Sequence, residues 1–272
     1  MSMDAIPLWA HFAGTILVVM ISIEAGYRLG QIAHRRSEDE KESPVSAFAG
    51  AVLGLVAFML AFTFSIVSDR YDARKGLVRE EANAIRTAYL RSDFLPEPDR
   101  AETKRLLREY LDARVAFAQA GNVEQEHVNE LLPEADRIQR RLWDMAVTNA
   151  RQDMNSDVAA LYIESLNEII EVHALRVAVG LQARIPIGIW SVLYGLTILG
   201  MMGIGYHTGI AGSKRSMATL ILALSFALVI AMIASLDRPG GFIKVTQQPL
   251  IDLRDSMAAR SGDTAPPLKR VG

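Results

Sequence analysis

The chain has 272 residues, 50% of them hydrophobic and 22% charged, with a formal net charge of −2 and no cysteine. That balance is too apolar for a disordered chain and too neutral for a nucleic-acid binder. The lack of cysteine excludes disulfides, thiolate nucleophiles and Cys-type zinc or iron–sulfur sites. The charges avoid four apolar stretches and crowd between them, the pattern of a multi-pass membrane protein.

The first stretch, Ile6 to Tyr27, matches the ~20 residues that a helix needs to cross ~30 Å of hydrocarbon, with Glu24 as its only charge. Its flank, MSMDA, has no basic residue and no small-x-small site follows, so an uncleaved signal-anchor helix is expected. The second span runs from Val45 to Ser68 after Pro44, a natural helix-start residue. Spans three (Ile185 to Tyr206) and four (Met217 to Leu236) are joined by the short loop HTGIAGSKRS. Four spans place both termini on one side.

The chain thus divides into spans one and two (1–68), a polar segment (69–184), spans three and four (185–236) and a tail (237–272). The polar segment carries more acids than bases and cannot lie within the bilayer. Nothing stops the second membrane helix before about Phe94, where Pro96 and Pro98 break it. A helix from Glu97 to Ala120 follows, with Leu106, Leu107, Tyr110, Leu111, Arg114 and Phe117 at helical spacing. The next is expected from Pro133, as its N1 proline, to Asn149, and Asn155 or Ser156 caps a fourth, whose apolar face runs towards span three. Pro186 is expected to kink that junction rather than end the helix. In the tail, DRPGG makes a turn, an extended piece follows, a proline-started helix comes next, and the last dozen residues have no ordering pattern. The expected fold class is all-α: a four-span integral membrane protein with a helical-bundle extramembrane domain inserted between spans two and three.

Orientation rests on the positive-inside rule. The short loops after spans one and three hold Arg28, Arg35, Arg36, Lys41, Lys214 and Arg215, which favours those loops in the cytoplasm. Bases such as Arg70, Arg74, Arg176 and Arg238 oppose this beside the long polar segment, where the rule weighs less. The expectation is a bacterial inner-membrane protein with bundle and termini periplasmic.

No catalytic motif emerges. His11, His34, His127, His173 and His207 form no HExxH or His-x3-His pattern and read as surface or packing residues. GMMGIGYHTGIAGSKRS lacks the phosphate-loop register, and there is no GxSxG. The chain is expected to be no enzyme and to hold no cofactor or metal.

The second span is the unusual element. At 100° per residue, Gly50, Gly54, Ala57, Ala61, Ser65, Ser68 and Asp72 fall within one arc of about 80°. Two readings fit this stripe and can coexist. It supports close helix packing, with Gly50 and Gly54 as a GxxxG pair. Alternatively it lines a pore at an oligomer axis, where small residues leave room, phenylalanines gate by dewetting and carboxylate rings select cations. On the second reading Asp69, Asp72 and Ser65 are candidate ion contacts, and Phe58 and Phe62 candidate constrictions. Gly50, Gly54, Ala57 and Ala61 serve packing or pore width. The alternating charges that follow, from Asp69 to Glu81, fit a solvated helix with weak pairs or an ion-concentrating vestibule. Glu24, with Arg28 at i+4, reads as an interfacial carboxylate.

The strings AFTFSIVSDRYDARKGLVREEANAIRTAYLRSDFLPEP, LLREYLDAR and DRPGGFIKVTQQPL resemble the bestrophin-like domain family, a large group of bacterial and plant membrane proteins. The likeness runs from about Ala47 to about Leu253. Its motif positions are Phe62, Ser65, Asp69, Arg70, Asp72, Arg74, Glu81, Asn83, Tyr89, Arg91, Leu95, Pro96, Arg108, Asp237, Arg238, Pro239, Gln248 and Pro249. Its namesakes, the bestrophins, are oligomeric anion channels with four membrane helices and a helical extramembrane domain, so the resemblance implies an oligomeric channel. The acids beside span two argue mildly against chloride as the ion. The leading expectation is an ion channel with span two at the axis of a homo-oligomer, its partners being lipid, further copies of the chain and ions, with no nucleic acid. A receptor-like helical sensor without transport activity is the alternative, and a structural or assembly role the third reading.

Overall fold

The computed structural model describes residues 7–36, 42–119, 125–153, 155–212, 217–238 and 242–260. Its helices are α1 (Leu8–Arg36), α2 (Glu42–Arg91), α3 (Asp99–Gln119), α4 (Gln125–Ala150), α5 (Asp157–Val177), α6 (Ile187–Ile210), α7 (Met217–Asp237) and α8 (Gln248–Arg260). A 3-10 turn, Ser92–Phe94, continues α2, and a π turn, Ala178–Gln182, continues α5. There is no strand among the described residues. Four helices are long and apolar enough to cross a membrane: Leu8–Arg35, Ser46–Phe94, Ile187–Ile210 and Thr219–Asp237. The protein is an all-helical, multi-pass membrane protein.

The chain forms two compact units. The first takes in Met1–Tyr71 and Arg184–Ile243, the second Asp72–Ala183 and Lys244–Gly272.

In the first unit α1 packs against α6 and α7. Its core joins Val56, Leu60 and Val67 of α2 to Trp190 and Leu193 of α6 and Ile230 and Ile233 of α7. Between α1 and α6 the backbones nearly touch. A Cβ at Gly26 would collide with the carbonyl of Met202, and one at Gly205 with the carbonyl of Ile23. Gly30 and Gly209 repeat this one turn on, against Tyr206 and Tyr27, so two GxxxG pairs interlock as small-residue membrane packing allows. This seam carries α1 past Tyr27, the expected end of span one, to Arg36, and places Arg28, Arg35 and Arg36 on the helix rather than in a loop.

Pro186 ends a helix instead of kinking one. The residue before a proline is pushed out of the α region, and residues 183–186 are non-helical before α6 starts with Pro186 at its N-cap. The Ile185 N–H, freed by this break, donates to the Asp237 carboxylate at 3.0 Å and 3.3 Å, so the break is held by a charged acceptor.

The second unit combines the later part of α2 with α3, α4, α5 and α8. Its core includes Ile85 from α2, Leu107 and Leu111 from α3, Ile138 and Leu142 from α4, Leu166 and Ile169 from α5, and Leu250 and Leu253 from α8. The Ser156 hydroxyl accepts from Ala159 N–H at 3.2 Å and caps α5, settling the choice between Asn155 and Ser156. Pro133 does not start α4; the helix begins at Gln125 and runs through it. One backbone hydrogen bond is forfeited there, between strong helix formers on both sides. Ala120, the expected end of α3, and the last dozen residues of the tail lie outside the described residues.

Candidate functional site: the free face of α2 and a buried carboxylate

The membrane part of α2 has two opposed faces. Val56, Leu60, Thr63 and Val67 recur at helical spacing and are buried within the unit. On the other side Gly50, Gly54, Ala57, Ala61 and Ser65 are all exposed, as are Asp69 and Asp72 beyond them. Gly50 and Gly54 have nothing within 4 Å of where a Cβ would stand, so among the described residues no other helix fills the groove between them. Phe58 and Phe62 flank the stripe, 64% and 56% exposed, stacked with ring centroids 6.5 Å apart. The candidate ion contacts, constrictions and small residues therefore lie together on a face that is exposed among the described residues.

Glu81 lies farther along the same helix, in the second unit, with a fully buried side chain. A buried carboxylate is tolerated only with cations and hydrogen-bond donors around it. Arg114 Nε donates to Oε1 at 2.8 Å, Arg176 to Oε2, and the Tyr110 hydroxyl to Oε1 at 3.1 Å. Tyr110 in turn accepts from Gln139 Nε2 at 3.2 Å and lies 3.3 Å from His173 Nδ1. The other ring nitrogen of His173 is 3.6 Å from Asp136 Oδ1, and Arg176 also donates to Gln247 Oε1 at 3.0 Å. One carboxylate thus ties α2 to α3, α5 and, through Tyr110, α4.

Burial first, and then the positive charge of Arg114, lower the His173 pKa to about 4 against the opposing pull of Asp136. Burial also lowers Arg176 to about 10 and raises the Tyr110 phenol. His173 is a buried network residue, which a lone histidine without a metal spacing does not reveal. Sequence reading singled out Glu81 as a motif position but missed its shell of Tyr110, Arg114, Asp136, Gln139, His173 and Arg176. The available signal was Tyr110 and Arg114 at i, i+4 with His173 and Arg176 at i, i+3, polar residues facing inward on otherwise apolar stripes.

Other motif positions are structural ties. Arg70 donates to Asp237 at 3.3 Å, reinforcing the acceptor that holds the break before α6, and Arg238 lies 3.2 Å from His11 Nε2. Arg91 donates to the Leu161 carbonyl at 2.6 Å and pairs with Glu164 at 3.1 Å. The ring of Tyr89 carries Lys104 Nζ 5.2 Å from its centroid. Arg74 is half-buried and Asn83 exposed. Pro239 lies outside the described residues. No group of three or more metal-binding side chains occurs among the described residues.

A family model, the Bestrophin-like domain, matches residues 15–250. Crystal structures of a bacterial bestrophin homologue from Klebsiella pneumoniae superimpose closely in fold. One, a mutant, has a TM-score of 0.63 at 16% identity and covers 93% of this chain and 98% of that one. A second has a TM-score of 0.60 at 16% identity, covering 96% and 100%. A structure described only as a membrane protein matches at 0.62 and 15% identity, covering 94% and 98%. Among curated proteins none matches the chain.

Proposed function

The chain belongs to the Bestrophin-like domain family, and from that premise we propose that it is an ion channel, assembled as a homo-oligomer with α2 of each copy lining the axis. The observation that carries this reading is the two-sidedness of α2. Its bulky face is used up against α6 and α7, while its small-residue face, with Phe58, Phe62, Asp69 and Asp72, is exposed among the described residues. Around an axis that face leaves room for a path, Phe58 and Phe62 narrow it, and the carboxylates meet ions at its mouth. The channel activity implied by the resemblance to bestrophins points the same way. Asp72–Ala183 and Lys244–Gly272 would form the extramembrane bundle, on the periplasmic side with the termini.

Two experiments test this. The purified oligomer, reconstituted in planar bilayers under a salt gradient, is expected to conduct and to be a closed ring with α2 innermost by cryo-electron microscopy. An intact oligomer that stays silent under gradients of several salts, or one with α2 turned to lipid, overturns the proposal. Sidedness is separable, because the chain has no cysteine. A thiol introduced by Glu168→Cys on α5 should react with a membrane-impermeant maleimide from the periplasm, and one introduced by Ala211→Cys after α6 should not.

A further inference from the structure

In the second unit a groove of about 410 Å³ runs between α4 and α5. Asp136, Gln139, Trp143 and Asp144 line it from α4, at spacings that form one helical stripe, and Asn167 and Ile170 from α5. Its electrostatics differ from the neighbouring surface. Nearby acids have partners: Glu134 and Glu109 pair with Arg137, and Glu102 with Arg105 and Arg141. Asp144 forms no ion pair among the described residues, and Asp136 meets only the His173 ring.

Gln139 adds an independent feature. It is 8% exposed, lines the groove, and donates through Nε2 to Tyr110. The Tyr110 hydroxyl proton goes to Glu81, so the tyrosine oxygen must accept and the glutamine must present its N–H there. That orientation leaves the Gln139 carbonyl as a hydrogen-bond acceptor with no donor among the described residues.

We propose that this groove binds a small organic cation, a primary ammonium on an apolar body. Asp136 and Asp144 supply the charge, the Gln139 carbonyl accepts an ammonium N–H, and the ring of Trp143 with Ile170 covers the apolar part. Arg140, also on the rim, reduces the net charge of the groove to a single negative one, which suits a monocation better than a divalent metal. The site is independent of conduction, and stands or falls without it.

The test is calorimetric titration of the full-length protein in detergent with phenethylammonium, and with 2-phenylethanol as its uncharged counterpart. Saturable binding of the ammonium is expected, with the alcohol weaker by about tenfold or more. Asp144→Asn and Trp143→Leu, both on the groove wall, should each weaken the ammonium by about fivefold or more with the thermal melt unchanged. No saturable heat up to about 10 mM ammonium overturns the proposal. So does equal affinity for the alcohol, or an affinity that neither substitution alters. Should Trp143→Leu lower the melt, the exposed Asp144→Asn variant decides alone.

Discussion

Two arginines and a tyrosine converge on the fully buried side chain of Glu81. Replacing Glu81 by Gln keeps the shape but removes the carboxylate charge that Arg114 and Arg176 share, and breaking a buried pair in this way costs about 3–5 kcal/mol. The Glu81→Gln variant is therefore expected to melt well below the parent in detergent. The same core gives the unit an acid-sensitive stability. The His173 ring titrates near 6.5 when unfolded but about 4 in the fold, so between those values the unfolded chain binds the extra proton. The contribution is complete above pH 6.5 and lost as pH falls towards 4. A denaturant midpoint measured against pH should slope down through that window, and His173→Gln should flatten the slope. On the free face of α2 the carboxylates carry charge into the proposed path. The Asp69→Asn, Asp72→Asn double variant is expected to shift the reversal potential in a salt gradient towards anions while leaving the melt within about 0.5 kcal/mol, the usual range for exposed sites.

Glycines at the same spacing do different work in different helices. Gly26 and Gly205 sit where backbone meets backbone, and neither oxygen that a methyl would strike can swing aside as a side chain can. Gly205→Ala is expected to abolish folding, read as loss of the monodisperse peak after detergent extraction. Gly54→Ala meets open space within the chain and should leave the fold intact, its effect appearing in assembly or conductance. The sequence held both kinds of pair, but a GxxxG motif marks a close approach without naming the partner. That partner depends on which helices become neighbours, here α1 and α6, which stand far apart in the chain. Helix ends followed a similar rule. The long α2 was legible because nothing in the sequence interrupts it, whereas Pro133 sits inside a helix of strong formers and Pro186 ends one, the second for a reason outside its own segment. Pro186 has Asp237 to take the neighbouring N–H, and without that acceptor the extended Ile185 would be a buried donor unpaired.

At the scale of the whole chain, apolar length alone disclosed four membrane helices and helical periodicity disclosed most of the rest. The contents of the second unit's polar centre were hidden, because Tyr110, Gln139, Asp136 and His173 come from three helices that only tertiary packing brings together. The small-residue stripe along α2 was readable because it needs a single helix. The α1–α6 seam has one more consequence, for how the protein is made. Gly26 and Gly30 leave the ribosome about 180 residues before Gly205 and Gly209, which at ~5–20 residues per second means a wait of about 10–35 s. Throughout that interval the first helix sits in the bilayer with its notched side facing lipid or the insertion machinery, its eventual mate not yet synthesised. Nascent chains stalled before α6 should be the stage at which α1 is most easily extracted or degraded, and α1 could not be exchanged for a generic membrane anchor without leaving α6 unmatched.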